Sequence, residues 1–227
     1  MRAAVLLIGG LLWAQSQRPA FDVVSIKPSS GQPAMGRDPG RVSFKAVSLR
    51  ALIQTSYRVL PTQLVAPDWL IDARYDVEVT MPAGTPEAQE RLMWQAMLAD
   101  RCNLKVHREQ REVQAYVLGA GKNGPKLAEP TEKIGSIGMR GPGRIVAANA
   151  TMAGLAAMLS MRTDRQVVDG TGLTGNYSFT LDWAATPQMD GSSLFAAVEQ
   201  QLGLKLEARK VMLEFLVVDH AEKPTAN

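Results

Sequence analysis

The sequence predicts an α+β protein built as a tandem duplication of a β-α-β-β-α-β-β unit, with two small sheets each covered by two helices. Three observations carry this reading. Of 227 residues, 46% are hydrophobic and 21% charged, which is enough apolar side chain for the core of one or two globular domains. Segments of helical period alternate along the chain with segments of period two, as in sheets that carry helices on one face. Finally, the chain matches itself. Gly40-Arg41-Val42-Ser43 precedes Ser48-Leu49-Arg50-Ala51-Leu52, and 103 positions later Gly143-Arg144-Ile145-Val146 precedes Thr151-Met152-Ala153-Gly154-Leu155. Gln63-Leu64-Val65 answers Gln166-Val167-Val168 at the same offset, Tyr75-Asp76-Val77 answers Tyr177-Ser178-Phe179 at 102, and Leu104-Lys105-Val106 answers Leu204-Lys205-Leu206 at 100. Ordered matches with so little drift mark a repeated unit of about 80 residues.

Residues 1–16 read as an export signal. Met1 and Arg2 form a charged start, Ala3 to Trp13 are apolar or glycine, and Ala14 and Ser16 supply the small residues of a cleavage site. An apolar run of 11 residues is shorter than the roughly 20 a membrane-spanning helix requires. The mature chain is therefore expected to start near Gln17 and to be periplasmic or extracellular, with no later span. The first repeat is placed at 17–118, a Gly/Pro-rich linker at 119–142 and the second repeat at 143–227.

Phe21 to Ile26 is an opening strand that should join the sheet of one copy. It leads into a Pro/Gly/Ser-rich stretch from Pro28 to Gly40. A strand at Arg41 to Phe44 is followed by Ser48, a good N-cap, and by a helix whose Leu49, Leu52, Ile53 and Tyr57 share one face. In the second copy Thr151 is the cap, and Met152, Leu155, Ala156 and Leu159 form the stripe. Extended segments follow at Gln63 to Val65 and Tyr75 to Val79, with counterparts at Gln166 to Val168 and Tyr177 to Leu181. A second helix starts at Thr85-Pro86-Glu87, where proline suits the first turn and the carboxylate suits the positive helix end; its counterpart starts at Ser192 or Ser193. Two closing strands are expected, Leu204, Leu206 and Ala208 alternating with polar residues and then Val211, Leu213, Phe215 and Val217. Seven of the 19 glycines fall in the linker from Gly119 to Gly143, which predicts turns there.

Charge and motifs narrow the function classes. Against 25 basic residues stand 22 acidic ones, and the densest basic stretch, Arg101 to Arg111, is interleaved with Glu109 and followed by Glu112. That is a solvated mixed-charge surface and no nucleic-acid footprint. Cys102 is the one cysteine, so an internal disulfide and Cys-pair redox chemistry are ruled out. A Ser-His-Asp site needs a proton-accepting histidine, but His107 and His220 are the only two and no G-x-S-x-G occurs. Zinc needs three or four ligands at suitable spacing, which these residues do not offer. Gly119 and Gly124 have P-loop spacing, yet Pro125 stands where lysine would meet the phosphates, so the segment is a turn. The carboxylate pairs Asp68 with Asp72 and Asp76 with Glu78 have no specificity for a glycosidase. No cofactor is expected.

What remains is surface. Trp69, Arg101, His107, Arg108 and Glu109 are the candidate binding residues; His107 sits on the polar phase of a strand, as a surface or salt-bridged histidine would. Trp69 and Trp183 flank the ends of matching strands and either cover the sheets or meet a partner. Met93, Met97, Met152, Met158 and Met161 are read as helix-core residues.

The run Phe21-Asp22-Val23-Val24-Ser25-Ile26-Lys27-Pro28 resembles the opening of a large family of uncharacterised secreted bacterial proteins, a domain of unknown function. The resemblance continues through Leu49 to Tyr57, Gln63, Pro67-Asp68-Trp69-Leu70, Tyr75-Asp76-Val77, Met97-Leu98-Ala99-Asp100-Arg101 and His107-Arg108-Glu109. It is met again at Gly124-Pro125-Lys126-Leu127, Val168-Asp169, Thr171-Gly172-Leu173-Thr174-Gly175-Asn176-Tyr177, Val218-Asp219 and Lys223-Pro224. The family implies no activity. Some of its members form the outer part of membrane proteins with a beta-lactam-sensor-type metallopeptidase domain. The repeated unit is also similar, more distantly, to the N-terminal docking domains of secretins and TonB-dependent receptors. Cys102 departs from the family, which usually has an aromatic residue there. The leading expectation is an exported non-enzymatic binding or sensor-type domain for an unknown protein or small molecule. The alternatives are a secreted hydrolase or carbohydrate-active enzyme using Asp100, His107 and Glu109, and an assembly module pairing through sheet edges.

Overall fold

The computed structural model describes residues 18–184 and 192–224; the export signal read at 1–16 lies outside them. The chain is α+β, as expected. Its described residues divide into two compact units, one of residues 18–59, 65–107 and 217–224 and the other of residues 60–64, 108–184 and 192–216.

In the first unit, β1 (Val23–Pro28), β2 (Ala34–Asp38), β3 (Arg41–Ser48) and β5 (Arg74–Thr80) make a sheet of order β1-β5-β3-β2. All three pairings are antiparallel. The opening strand thus adds to the sheet, as anticipated. β2 was not anticipated: Pro, Gly and Ser around it hid a strand that is held by its neighbour β3. Ser48 caps α1 (Leu49–Tyr57), its hydroxyl accepting from Ala51 N at 3.2 Å. Leu49, Leu52 and Ile53 are buried as the stripe required, and Ser56 completes the buried face while Tyr57 is half-buried. The chain then passes through residues of the second unit, a 3-10 turn at Pro61–Gln63 leading into the two-residue strand β4 (Leu64–Val65), and returns to the first with the short helix α2 (Trp69–Asp72). Then α3 (Glu87–Cys102) begins after Pro86, with Glu87 and Glu90 in its first turn and Arg101 in its last, the charge order that a helix dipole favours.

In the second unit, β7 (Ser136–Met139), β8 (Arg144–Ala150) and β10 (Tyr177–Asp182) form a sheet of order β10-β8-β7. α4 (Met152–Ser160) is capped by Thr151, whose hydroxyl accepts from Gly154 N at 3.1 Å. All four predicted stripe residues, Met152, Leu155, Ala156 and Leu159, are buried. They join Ile145, Leu181, Val198, Leu202 and Leu204 in one core. α5 (Ser192–Leu202) ends at Gly203, at φ 63°. β7 lies in the segment expected to be linker. Met161, expected in a helix core, is instead the exposed C-cap of α4, because α4 ends one residue earlier.

The expectation of two sheets is corrected by a third, of order β4-β11-β6-β9, which contains β6 (Lys105–Ala120), β9 (Val167–Asp169) and β11 (Leu204–His220). The two closing strands predicted at 204–208 and 211–217 are one strand of 17 residues. Alternation fails at Glu207 to Lys210, which suggested a break, but strand formation is a backbone property and the strand runs through them; beside it, the Lys210 side chain donates to Glu112 of β6 at 2.7 Å. β9 runs parallel to β6, with Tyr116 opposite Val167.

The glycine-rich segment after β6 is a turn, as expected. Gly121 N donates to Gly203 O at 2.8 Å, and Lys126 N to Leu202 O at 2.7 Å. These bonds give the last carbonyls of α5 the partners that a helix C-terminus otherwise lacks.

Candidate functional site

α3 presents a single face at helical spacing: Glu87, Glu90, Arg91 and Trp94, followed by Met97 and Leu98. Its lower part is core, with Met93, Trp94, Met97 and Leu98 buried. Glu90 occupies the same stripe and is buried too. A carboxylate there must be compensated. The Arg37 guanidinium of β2 donates to it twice, Nη1 to Oε2 at 3.0 Å and Nη2 to Oε1 at 2.9 Å, and Trp94 Nε1 donates at 3.2 Å. The fork of Arg37 holds the Glu90 carboxyl below the usual carboxylate range against the opposing effect of burial, and the indole N–H assists. The Trp94 ring is packed edge-to-face on Phe21 at 4.8 Å and on Phe44 at 5.6 Å.

Around this pair lies a cleft of about 560 Å³. Met35 and Arg37, two apart on β2 and so on one side of the strand, form one wall; Phe44 and Trp94 form the apolar floor. The end of α1 closes it with Ser56 and Arg58. Ser56 O accepts from Gln95 Nε2 at 2.8 Å, which ties α1 to α3. At the rim, Arg91 pairs with Glu87 at 2.9 Å, one helical turn apart. Arg58 is a left-handed residue at φ 53°, ψ 48°, whose backbone N–H caps α1 by donating to Gln54 O and Thr55 O.

None of the five residues singled out from sequence is among those lining this cleft. Trp69 opens α2, half-buried beside the fully buried Leu70. Arg101 is exposed in the last turn of α3. His107 is exposed on β6, as its polar phase required, and its Nδ1 lies 2.8 Å from Asp219 Oδ1. Arg108 pairs with Glu214 and Glu109 with Arg111. Along a strand these residues alternate sides, so His107 and Glu109 do not share a face with Arg108. Asp76 and Glu78, noted as a carboxylate pair, are taken up by cross-strand cations: Lys45 at 3.3 Å and Arg41 at 2.6 Å. Among the described residues no group of three His, Cys, Asp or Glu is placed to hold a metal, and no helix is long and apolar enough to cross a membrane.

The Arg37–Glu90 pair escaped sequence reasoning because its members are 53 residues apart. One half was detectable: Glu90 is in phase with Met93, Trp94 and Met97, and a carboxylate inside an apolar stripe calls for a buried cation or donor. Arg37 was not, since it lies in a segment without periodicity. The second unit has its own hollow, of about 550 Å³, at the start of α4. Its Asn149 is engaged within the fold, donating to Glu132 O at 2.8 Å.

Residues 50–221 match the model of a protein family described as "Protein of unknown function" (DUF3738). The opening segment Phe21–Pro28 falls outside the matched residues. No curated protein and no solved structure matches the chain.

Proposed function

This chain belongs to the DUF3738 family of proteins of unknown function, and we propose that within it the chain acts as an exported, non-enzymatic binding or sensor-type domain whose ligand enters the cleft between β2, α1 and α3. The observation that carries the reading is the composition of that cleft. An apolar floor of Phe44 and Trp94 is joined to guanidinium groups, while the one buried carboxylate is neutralised from within by Arg37. A concave apolar surface with a few placed polar groups is how small-molecule and peptide sites are built. Export is supported by the charged, apolar and small-residue pattern of residues 1–16. Descent of both units from one duplicated unit is supported by their common strand order, β5-β3-β2 in one and β10-β8-β7 in the other, each followed by a capped helix after its central strand.

The test is a thermal-shift screen of the protein from Gln17 onward against cell-wall fragments, sugars, organic acids, peptides and periplasmic extract. A ligand that binds only the folded state raises the midpoint, by about 2.7 kcal/mol at a hundred times its dissociation constant. A shift abolished by Trp94→Ala or Phe44→Ala at the cleft supports the reading. A shift that survives both places the site elsewhere.

One observation favours an assembly role as a second reading. β2 is an edge strand with all five residues exposed, and such edges can pair with another chain. Concentration-dependent association in sedimentation, lost on placing proline in β2, is its expected signature.

A further inference from the structure

We propose that Arg58 is the recognition residue of the cleft and that the ligand is an organic carboxylate carried on an apolar body. This rests on the reading of the cleft as a binding site.

Arg58 occupies the position just after α1 in a left-handed conformation, a place that glycine fills best because any Cβ is strained there. What the fold takes from this residue is its backbone N–H, which caps Gln54 O and Thr55 O; glycine would supply the same donor without strain. The arginine side chain is therefore unexplained by helix termination. It is also unlike the other cations of the cleft. Arg37 is bound by Glu90 and Arg91 by Glu87, whereas among the described residues no carboxylate pairs with the Arg58 guanidinium, which is exposed at the cleft margin. Three guanidinium groups thus face two carboxylates, and the one positive charge left over belongs to Arg58.

Charge complementarity selects an anion. The planar fork of arginine matches a carboxylate with two parallel hydrogen bonds. The neighbouring surface selects what the anion is attached to: Phe44 and Trp94 form the floor, and Met35 is 58% exposed beside them, which suits an aromatic or aliphatic group. Two sources share this chemistry, a free apolar acid and the C-terminal carboxylate of a peptide ending in an apolar residue.

The experiment is calorimetric titration of the protein from Gln17 onward with phenylacetate and with an acetylated dipeptide ending in phenylalanine. The matching amides, phenylacetamide and the dipeptide amide, are titrated alongside. Both pairs are repeated on Arg58→Gly and Arg58→Lys. The expected result is that at least one acid binds and its amide binds about tenfold more weakly or worse. Arg58→Gly should lose that preference while melting no lower than the parent, since it relieves the left-handed strain. Arg58→Lys should keep part of the affinity, as a point charge without the fork. Binding of phenylacetate identifies the free acid as the source; binding of the peptide acid alone identifies the chain terminus. Equal binding of acid and amide, or an unchanged preference in Arg58→Gly, overturns the role of Arg58 while leaving the cleft as a site. No binding of any of the four probes overturns the carboxylate proposal, while the cleft reading stands or falls by the thermal-shift screen. A lowered melting point in Arg58→Gly would show that the arginine serves the fold.

Discussion

Removing the Glu90 carboxylate separates its charge from its hydrogen bonds. Three donors converge on it: two from the Arg37 guanidinium, whose side chain is 53% exposed, and one from the buried Trp94 indole. In Glu90→Gln the volume and one acceptor oxygen remain, so Trp94 keeps a partner. The charge-assisted pair with Arg37 is lost, but about half of the Arg37 side chain is exposed, so water screens the pair; the cost should be about 1–2 kcal/mol. Glu90→Ala also strands the Trp94 N–H in the core, adding about 1–3 kcal/mol. For a chain of this size, each kcal/mol moves the melting midpoint by about 2–4 °C. Urea titration followed by tryptophan fluorescence, with circular dichroism as a second probe, measures both. The pH dependence has a definite sign. The folded-state pKa of Glu90 lies below its ordinary 4.5, so its contribution is present above that value and is lost as pH falls through the depressed folded pKa. The gap between wild type and Glu90→Gln should therefore be full at neutral pH and close on acidification. A Glu90→Gln protein within about 0.5 kcal/mol of wild type at pH 7, or as unstable as Glu90→Ala, would refute the reasoning.

Other substitutions probe the scaffold. Gly203→Ala should cost about 3 kcal/mol or more: about 1 for the left-handed backbone, and the rest because its Cβ would overlap Gly124 O and displace the turn that bonds Gly203 O and Leu202 O. Gly84→Ala, at φ 82° with nothing within 4 Å of the added Cβ, should cost only the conformational part, about 1 kcal/mol; urea melts of both test the difference. Burial raises the Cys102 thiol to about 11, so iodoacetamide at pH 8 should label it only as fast as the end of α3 opens, and rapid labelling of the native protein would contradict its packing. Ser48→Ala and Thr151→Ala should each lower stability by about 1 kcal/mol, read from the same denaturation curves.

Legibility followed the range of the interaction. α1 and α4 were readable to the residue in their caps and almost so in their stripes, because a cap bonds three residues ahead and a stripe repeats every three or four. Tyr57 and Met161 missed the core at the C-terminal ends of those helices, where the period no longer applies. β2 and β7 have no usable pattern of their own, and β11 was cut in two at Glu207 to Lys210, since hydrophobic alternation reports side-chain burial and not backbone pairing. The residues chosen from sequence for binding, His107, Arg108 and Glu109, lie where charge is dense in the chain, and on β6 that density is spent in ion pairs with Asp219, Glu214 and Arg111.

By itself, then, the amino-acid order determined the α+β class, α1 and α4 with their caps and buried faces, the start of α3 and the turn around Gly124. All of these depend on neighbours within a turn or two of the chain. Only the tertiary structure decided that β6 and β11 share a third sheet, that Arg37 neutralises Glu90, and that Phe44, Trp94 and Arg58 border one cleft. Those relations join residues tens of positions apart, and the free energy that selects them comes from burying a charge and an apolar floor together, which no local pattern encodes.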